Sequence, residues 1–186
     1  MKKAFPILLM TLGLVFLGAG IYTVSRGFDA KDQVRTELVA QNITTPEDAS
    51  MPNVVVHDAA TANSMAAIIN THALDSSGGL TYAELGRFMT ADGDPAGTSD
   101  ETLAVVGADG RPVSNPARTS AFQASALRTS LYTSVLAFNV ADLVVGLGVM
   151  VLVLGVAVGG MGVALGGLAI PAIARRVHVT PLAAGA

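Results

Sequence analysis

The stretch from Leu143 to Ile170, LVVGLGVMVLVLGVAVGGMGVALGGLAI, carries no charge and eight glycines. In water each glycine inside a helix costs about 1 kcal/mol relative to alanine, so eight in one apolar run need a reason. A bilayer supplies it. Lipid tails are as apolar as leucine, so no hydrophobic drive brings helices together, and small residues that let two backbones approach become a main source of association. Gly148, Gly155 and Gly162 recur every seven residues, and Gly155/Gly159 and Gly162/Gly166 are small-xxx-small pairs on the same stripe. Gly13 and Gly20, in a second apolar run, are also seven apart. These seven glycines are expected to form a helix-packing face, used between the two runs of this chain, in a homodimer, or against another membrane protein.

The uncharged run extends from Leu143 to Ala174 and is closed by Arg175 and Arg176. As one helix it reaches about 48 Å at 1.5 Å per residue, half as long again as a hydrocarbon core of about 30 Å. Tilt, a break at Pro171, or first turns standing above the membrane would absorb the excess. Two spans starting from Leu131 would also fit by length, but no polar turn separates them. The first run, Ala4 to Ser25, follows Lys2 and Lys3 and precedes Arg26. It is longer than the apolar core of a cleaved secretory signal, and its end, IYTVSRGF, lacks the small-residue cleavage pattern, which predicts an uncleaved signal anchor.

Short cytoplasmic flanks collect Lys and Arg. Placing Lys2, Lys3, Arg175 and Arg176 inside gives a multi-pass plasma-membrane protein with both termini cytoplasmic. The expected division is a cytoplasmic N-terminus at 1–3, a transmembrane helix at 4–26, an extracytoplasmic helical domain at 27–141, a second transmembrane helix at 142–174 and a cytoplasmic tail at 175–186. All 14 acidic residues fall between Asp29 and Asp142, against six basic ones there, a net charge of −8. An acidic exported domain argues against nucleic acid and against anionic lipid surfaces. The absence of cysteine excludes disulfides and thiolate chemistry.

Within the exported segment, GFDAKDQVRTELVAQNI places Phe28, Val34, Leu38 and Val39 at roughly helical spacing. TTPEDA carries a start signal for another helical turn or two. NVVVHDA suits one strand at most, and ATANSMAAIINTHALD sets Met65, Ile68, Ile69 and His72 on one helical face. LTYAELGRFM opens with Thr81 three residues before Glu84, a capping-box pattern that predicts another helix. Pro95 to Pro116 is rich in turn formers, with ADGRP as a tight turn. SNPAR offers Asn115 as cap and Pro116 at the first helical position, and nothing breaks the helix from there to Gly146. The expected fold is mainly α: two transmembrane helices flank a small helical domain. The second span is continuous with a long helix of that domain, which turns Phe122, Leu127 and Leu131 towards it.

Candidate chemistry is sparse. DGDPAGTSDE groups Asp92, Asp94, Asp100 and Glu101, but a calcium loop counted from Asp92 meets Ala96 and Leu103 where ligands are required. His57, His72 and Glu84 supply the residue types of a two-His, one-carboxylate iron site without any spacing that favours it. His178 falls on the other side of the membrane. Asp142 reads as a solvated helix-boundary residue, or deeper in the bilayer as a partner-pairing carboxylate. No catalytic, cofactor-binding or metal residues are assigned, and no cofactor is expected.

The start KKAFPILLMTLGLVFLGAGIYTVSRG, the turn QNITTPEDA, and the segments THALDSSGGLTYAELGRFM and NPARTSAFQASALRTSLYTSVLAFNVADLVVGLG resemble a group of small actinobacterial two-span membrane proteins of unknown function. Some of that group carry the label aromatic ring-opening dioxygenase. The label implies an iron enzyme, from which two spans and two exported histidines depart, so it is set aside as erroneous. The resemblance implies an actinobacterial cell envelope.

Together these readings point to a non-enzymatic integral membrane protein, an accessory or interaction subunit, in contact with the lipid bilayer and with a membrane-protein partner or a second copy. The exported domain is judged too small for an obvious pocket. The alternative is an extracytoplasmic ligand-sensing or binding module signalling through the long helix, and after it a metal-dependent enzyme.

Overall fold

The computed structural model describes residues 4–177, with side chains described for 4–167. Lys2, Lys3, His178 and the rest of the tail lie outside the described residues, and Arg175 and Arg176 are described as helical backbone only. The fold is mainly helical. Among the described residues three α-helices occur in order: α1 (Ala4–Ala40), α2 (Ala59–Ser76) and α3 (Pro116–Val177). Two of them, α1 and α3, are long and apolar enough to cross a membrane, and only 17% and 11% of their most apolar windows are buried within the molecule.

The chain divides into two compact units, a helix-pair unit of residues 1–30 and 140–186 and a central unit of residues 31–139. In the helix-pair unit, early residues of α1 meet late residues of α3. Pro6 and Met10 lie against Gly162, Leu17 against Gly155, and Val24 against Gly148, so the two helices run antiparallel. Helix α3 passes unbroken from Pro116 through Pro171 to Val177, as one helix rather than two spans.

The central unit is built around a buried cluster of Leu38 from α1, Val56 from the segment before α2, Ala62 and Ala66 from α2, and Leu131 and Phe138 from α3. Each element that supplies it has a local reason to start or stop. Helix α1 ends where Asn42 takes the left-handed conformation (φ 52°), which asparagine tolerates better than most residues. Helix α2 starts at a full capping box: Asp58 accepts from the Thr61 amide, and Thr61 accepts from the Asp58 amide. It ends in a Schellman-type turn, in which the Gly79 amide reaches the Leu74 carbonyl at 2.7 Å with Gly78 and Gly79 at positive φ. Helix α3 starts at Asn115, whose side-chain oxygen accepts from the Ala117 amide at 3.0 Å.

One expected helix is absent, and the turn or two expected after Thr45 is a single turn. Pro46 to Ala49 forms a single turn, closed by the Ala49 amide on the Pro46 carbonyl. The Thr81/Glu84 pattern makes its hydrogen bonds, with Glu84 accepting from the Thr81 amide at 2.8 Å, yet no helix follows. The reason is Gly86. Its amide turns to the Ala96 carbonyl at 2.7 Å, and a β-carbon there would collide with the backbone of Thr98. From Gly86 onward the chain forms a knot of isolated antiparallel bridges: Phe88 to both Thr98 and Ser114, Thr90 to Ala104, and Val106 to Pro112. The turn at Gly107 to Arg111 closes its far end.

Burial also redistributes the expected faces. Leu38, Ile68 and Leu131 are buried, whereas Phe28, Val39, Phe122 and Leu127 are exposed, and His72 lies at the surface. Ala121, Phe138 and Ala141 of α3 are buried instead of Phe122 and Leu127.

Candidate functional site

The seven glycines expected on a packing face fall into two groups in the helix-pair unit. Gly13, Gly20, Gly148, Gly155 and Gly162 have no room for a side chain. A β-carbon on Gly13 would stand 2.5 Å from the Gly159 Cα, and one on Gly155 would stand 2.9 Å from the Leu17 amide nitrogen. Gly159 and Gly166 have room, since a β-carbon there meets only the Gly13 Cα at 3.7 Å and Pro6 at 3.8 Å. An eighth position was missed. Gly27 lies against Val145, and its β-carbon would stand 3.1 Å from the Ala141 carbonyl oxygen. It continues the spacing of Gly13 and Gly20 by another seven residues, a signal hidden by ending the first span at Arg26.

The structure does not gather the metal candidates. Among the described residues no group of three or more His, Asp or Glu side chains could hold a metal ion. His57 Nδ1 lies 2.7 Å from the Val55 carbonyl, and His72 Nε2 lies 2.6 Å from Asp48 Oδ2. Glu84 is held by Thr81. Asp142 is exposed on α3.

The acidic loop residues serve their own backbone. Asp92 accepts from the Asp94 amide, Asp94 from the Ala96 amide at 2.9 Å, Asp100 from the Thr102 amide at 2.9 Å, and Asp109 from the Arg111 amide at 3.1 Å. These are side-chain turns of the kind Asp forms readily. Hydrogen bonds from the Thr102 hydroxyl and amide hold the Asp100 carboxyl below the usual range, and the Thr81 amide does the same for Glu84. The His72 hydrogen bond lowers Asp48. Burial pushes Asp58 up, but bonds from the Thr61 amide and hydroxyl outweigh it and leave the carboxyl low.

A cleft of about 680 Å³ lies inside the central unit, where α1, α2 and α3 meet. Its floor is apolar, made by Val34, Leu38, Met65, Ile69, Leu127 and Leu131. Small side chains on the facing turns of α3, Ser130, Ser134 and Ala137, leave the space open. This corrects the expectation that the domain is too small for a pocket. Sequence reading could not find the cleft, because its walls come from three helices far apart in the chain.

A shallower pocket of about 410 Å³ lies between the start of α3 and the bridged segment. There the Arg118 guanidinium sits 4.1 Å from the Tyr82 ring centroid, and the Phe122 ring is 5.8 Å from Tyr82. Arg118 also donates to the carbonyls of Tyr82 and Leu85, so its charge fastens that turn to α3. Asn115, almost fully buried, donates to the carbonyls of Gly86 and Pro95 and ties the same region together.

No family model, curated protein or solved structure matches this chain.

Proposed function

We propose that the chain is a non-enzymatic integral membrane protein of the bacterial cell envelope, with α1 and α3 crossing the bilayer and the central unit outside, acting as an accessory or interaction subunit. The observation that carries the membrane part is the contrast between the two faces of the helix pair. Its inner seam is glycine against backbone, while Ile7, Leu14, Ile21, Leu143, Met150 and Val156 stand exposed on the other faces. In water such a surface invites aggregation; in lipid it is the ordinary condition. Lys2, Lys3, Arg175 and Arg176 flank the two runs and favour cytoplasmic termini. The resemblance to actinobacterial two-span proteins agrees with an envelope location.

The non-enzymatic reading is supported by what the acids do. Asp58, Glu84, Asp94, Asp100 and Asp109 are engaged as caps and turn closers, with their bonds made to nearby backbone. A general acid or base needs a proton-transfer partner in a site and a pKa near the working pH; Asp58, Glu84 and Asp100 are held low instead.

Purification of the tagged chain from its native membrane in a mild detergent, followed by native mass measurement, tests the subunit role. A stoichiometric foreign subunit supports it, and a lone chain overturns it. Single cysteines at Ser50 and Ala184, labelled from outside in intact cells, test the orientation: labelling at Ser50 alone is expected, and labelling at Ala184 alone reverses it.

A further inference from the structure

We infer that the cleft of the central unit binds a small amphiphile with an apolar body and a single cationic head. This goes beyond the accessory role and needs only the cleft itself, so it stands or falls independently of any protein partner.

The volume of about 680 Å³ lies within the range of small-molecule sites, and the space between helices is a common place for them. The apolar floor formed by Val34, Leu38, Met65, Ile69, Leu127 and Leu131 suits a hydrocarbon or ring system. The rim decides the head. Glu37 is the only charged residue among the lining side chains, and no hydrogen bond or ion pair engages it among the described residues. On the α3 side, the hydroxyls of Ser130, Thr133 and Ser134 donate to the carbonyls of Ala126, Thr129 and Ser130 at 3.2, 2.8 and 3.3 Å. With their protons used within the helix, these oxygens present lone pairs to the cleft. Only Gln33 and Gln41 offer rim amides that can donate.

A carboxylate or phosphate head would therefore meet mostly acceptors and one like charge. An ammonium head would meet a carboxylate and several acceptors. The surrounding unit, with 12 acidic against six basic residues, adds a field of the same sign that draws cations.

The test uses the full chain in nanodiscs of a zwitterionic phospholipid, titrated calorimetrically with decyltrimethylammonium and, separately, with decanoate. Discs carrying Ser130→Trp, an exposed wall position, give the background from partition into lipid. The expected result is saturable one-site binding of decyltrimethylammonium above that background. Binding weakens about threefold in Glu37→Gln, as befits a pair at an exposed rim, and decanoate shows no saturable site. Equal heats from wild-type and Ser130→Trp discs would overturn the site. Decanoate binding as tightly as decyltrimethylammonium, or full affinity in Glu37→Gln, would overturn the cationic head. Circular dichroism checks that each variant keeps its helix content; if Ser130→Trp does not, Thr133→Trp serves as the blocked control.

Discussion

Gly13 and Gly159 face each other across the helix pair with unequal tolerance: a β-carbon on Gly13 would stand 2.5 Å from the Gly159 Cα, while one on Gly159 would stand 3.7 Å from the Gly13 Cα. The asymmetry arises because the Cα–Cβ bond of one residue points at its neighbour's backbone and that of the other points past it. Gly13→Ala is therefore expected to separate the helices and destabilise the pair, by about 1–3 kcal/mol if the cost matches that of other overpacked interiors. Gly159→Ala, in ordinary van der Waals contact, should be neutral or mildly stabilising. Unfolding in mixed micelles with increasing sodium dodecyl sulfate, followed by circular dichroism, checks both; equal effects of the two substitutions would contradict the geometry.

Gly18 serves as the matched control on α1, since nothing lies within 4 Å of a β-carbon there. Gly18→Val is expected to leave the unfolding midpoint unchanged, whereas Gly20→Val, where the Gly148 carbonyl oxygen would be 2.9 Å away, should lower it clearly. The comparison keeps residue type and helix constant and varies only the opposing surface.

At the start of α2, Thr61 is fully buried and its hydroxyl oxygen accepts from the amides of both His57 and Asp58. Thr61→Val keeps the shape and removes both acceptor contacts. Leaving a fully buried amide unpaired costs about 1–3 kcal/mol; these two are partly buried, and losing both acceptor contacts should still make Thr61→Val more destabilising than Asp58→Ala, which loses a cap of about 1 kcal/mol. Thermal unfolding of the two variants under one set of conditions decides the order.

Asp58, Glu84 and Asp100 are held below the usual carboxylate range by hydrogen bonds from Thr61, Thr81 and Thr102, and in Asp58 these outweigh burial, which acts in the opposite direction. A carboxyl with a depressed folded pKa contributes stability that is present above its unfolded value and lost as the pH falls through the folded one. The central unit should therefore lose stability progressively as the pH falls below the ordinary carboxylate range. Asp58→Asn should flatten part of that acid limb. An unfolding midpoint that rises on acidification would contradict these assignments.

Asn115 ties together the region before α3, donating from Nδ2 to the Gly86 and Pro95 carbonyls while Oδ1 caps the helix. Asn115→Asp keeps the cap but points an oxygen at two carbonyls, so it should destabilise strongly at neutral pH. Partial recovery is expected at low pH, where the acid is protonated and can donate. A variant as stable as wild type at pH 7 would show that those two bonds contribute little.

The parts of the fold readable from sequence were those in which a local pattern had no competitor. Asn115-Pro116 starts α3, the Gly107 to Arg111 turn forms, and the α2 segment is helical, because each pattern satisfies its own backbone groups within a few residues. The Thr81/Glu84 pattern was equally clear and its hydrogen bonds are present, but pairing of Gly86 with Ala96 and Thr98 took the following amides away from a helix. The turn at Pro46 has a comparable cause: Thr45 is almost fully buried, and it exchanges backbone bonds with Val54 and Asn53 rather than opening a helix. The candidate site was less legible. The glycine spacing was visible, yet which glycines are tight depends on the direction of each Cα–Cβ bond, and the cleft depends on Ile69 and Leu131 converging from separate helices.

Helix α3 supplies both the glycines that meet α1 and the Leu131 and Phe138 of the buried cluster, and it is synthesised after α1 and α2. Until α3 is made, the glycine face of α1 therefore stays uncovered, and the apolar side of α2 has no lid. A chain lacking α3 would have neither the glycine seam nor the complete buried cluster, so this one helix contributes to the packing of both units.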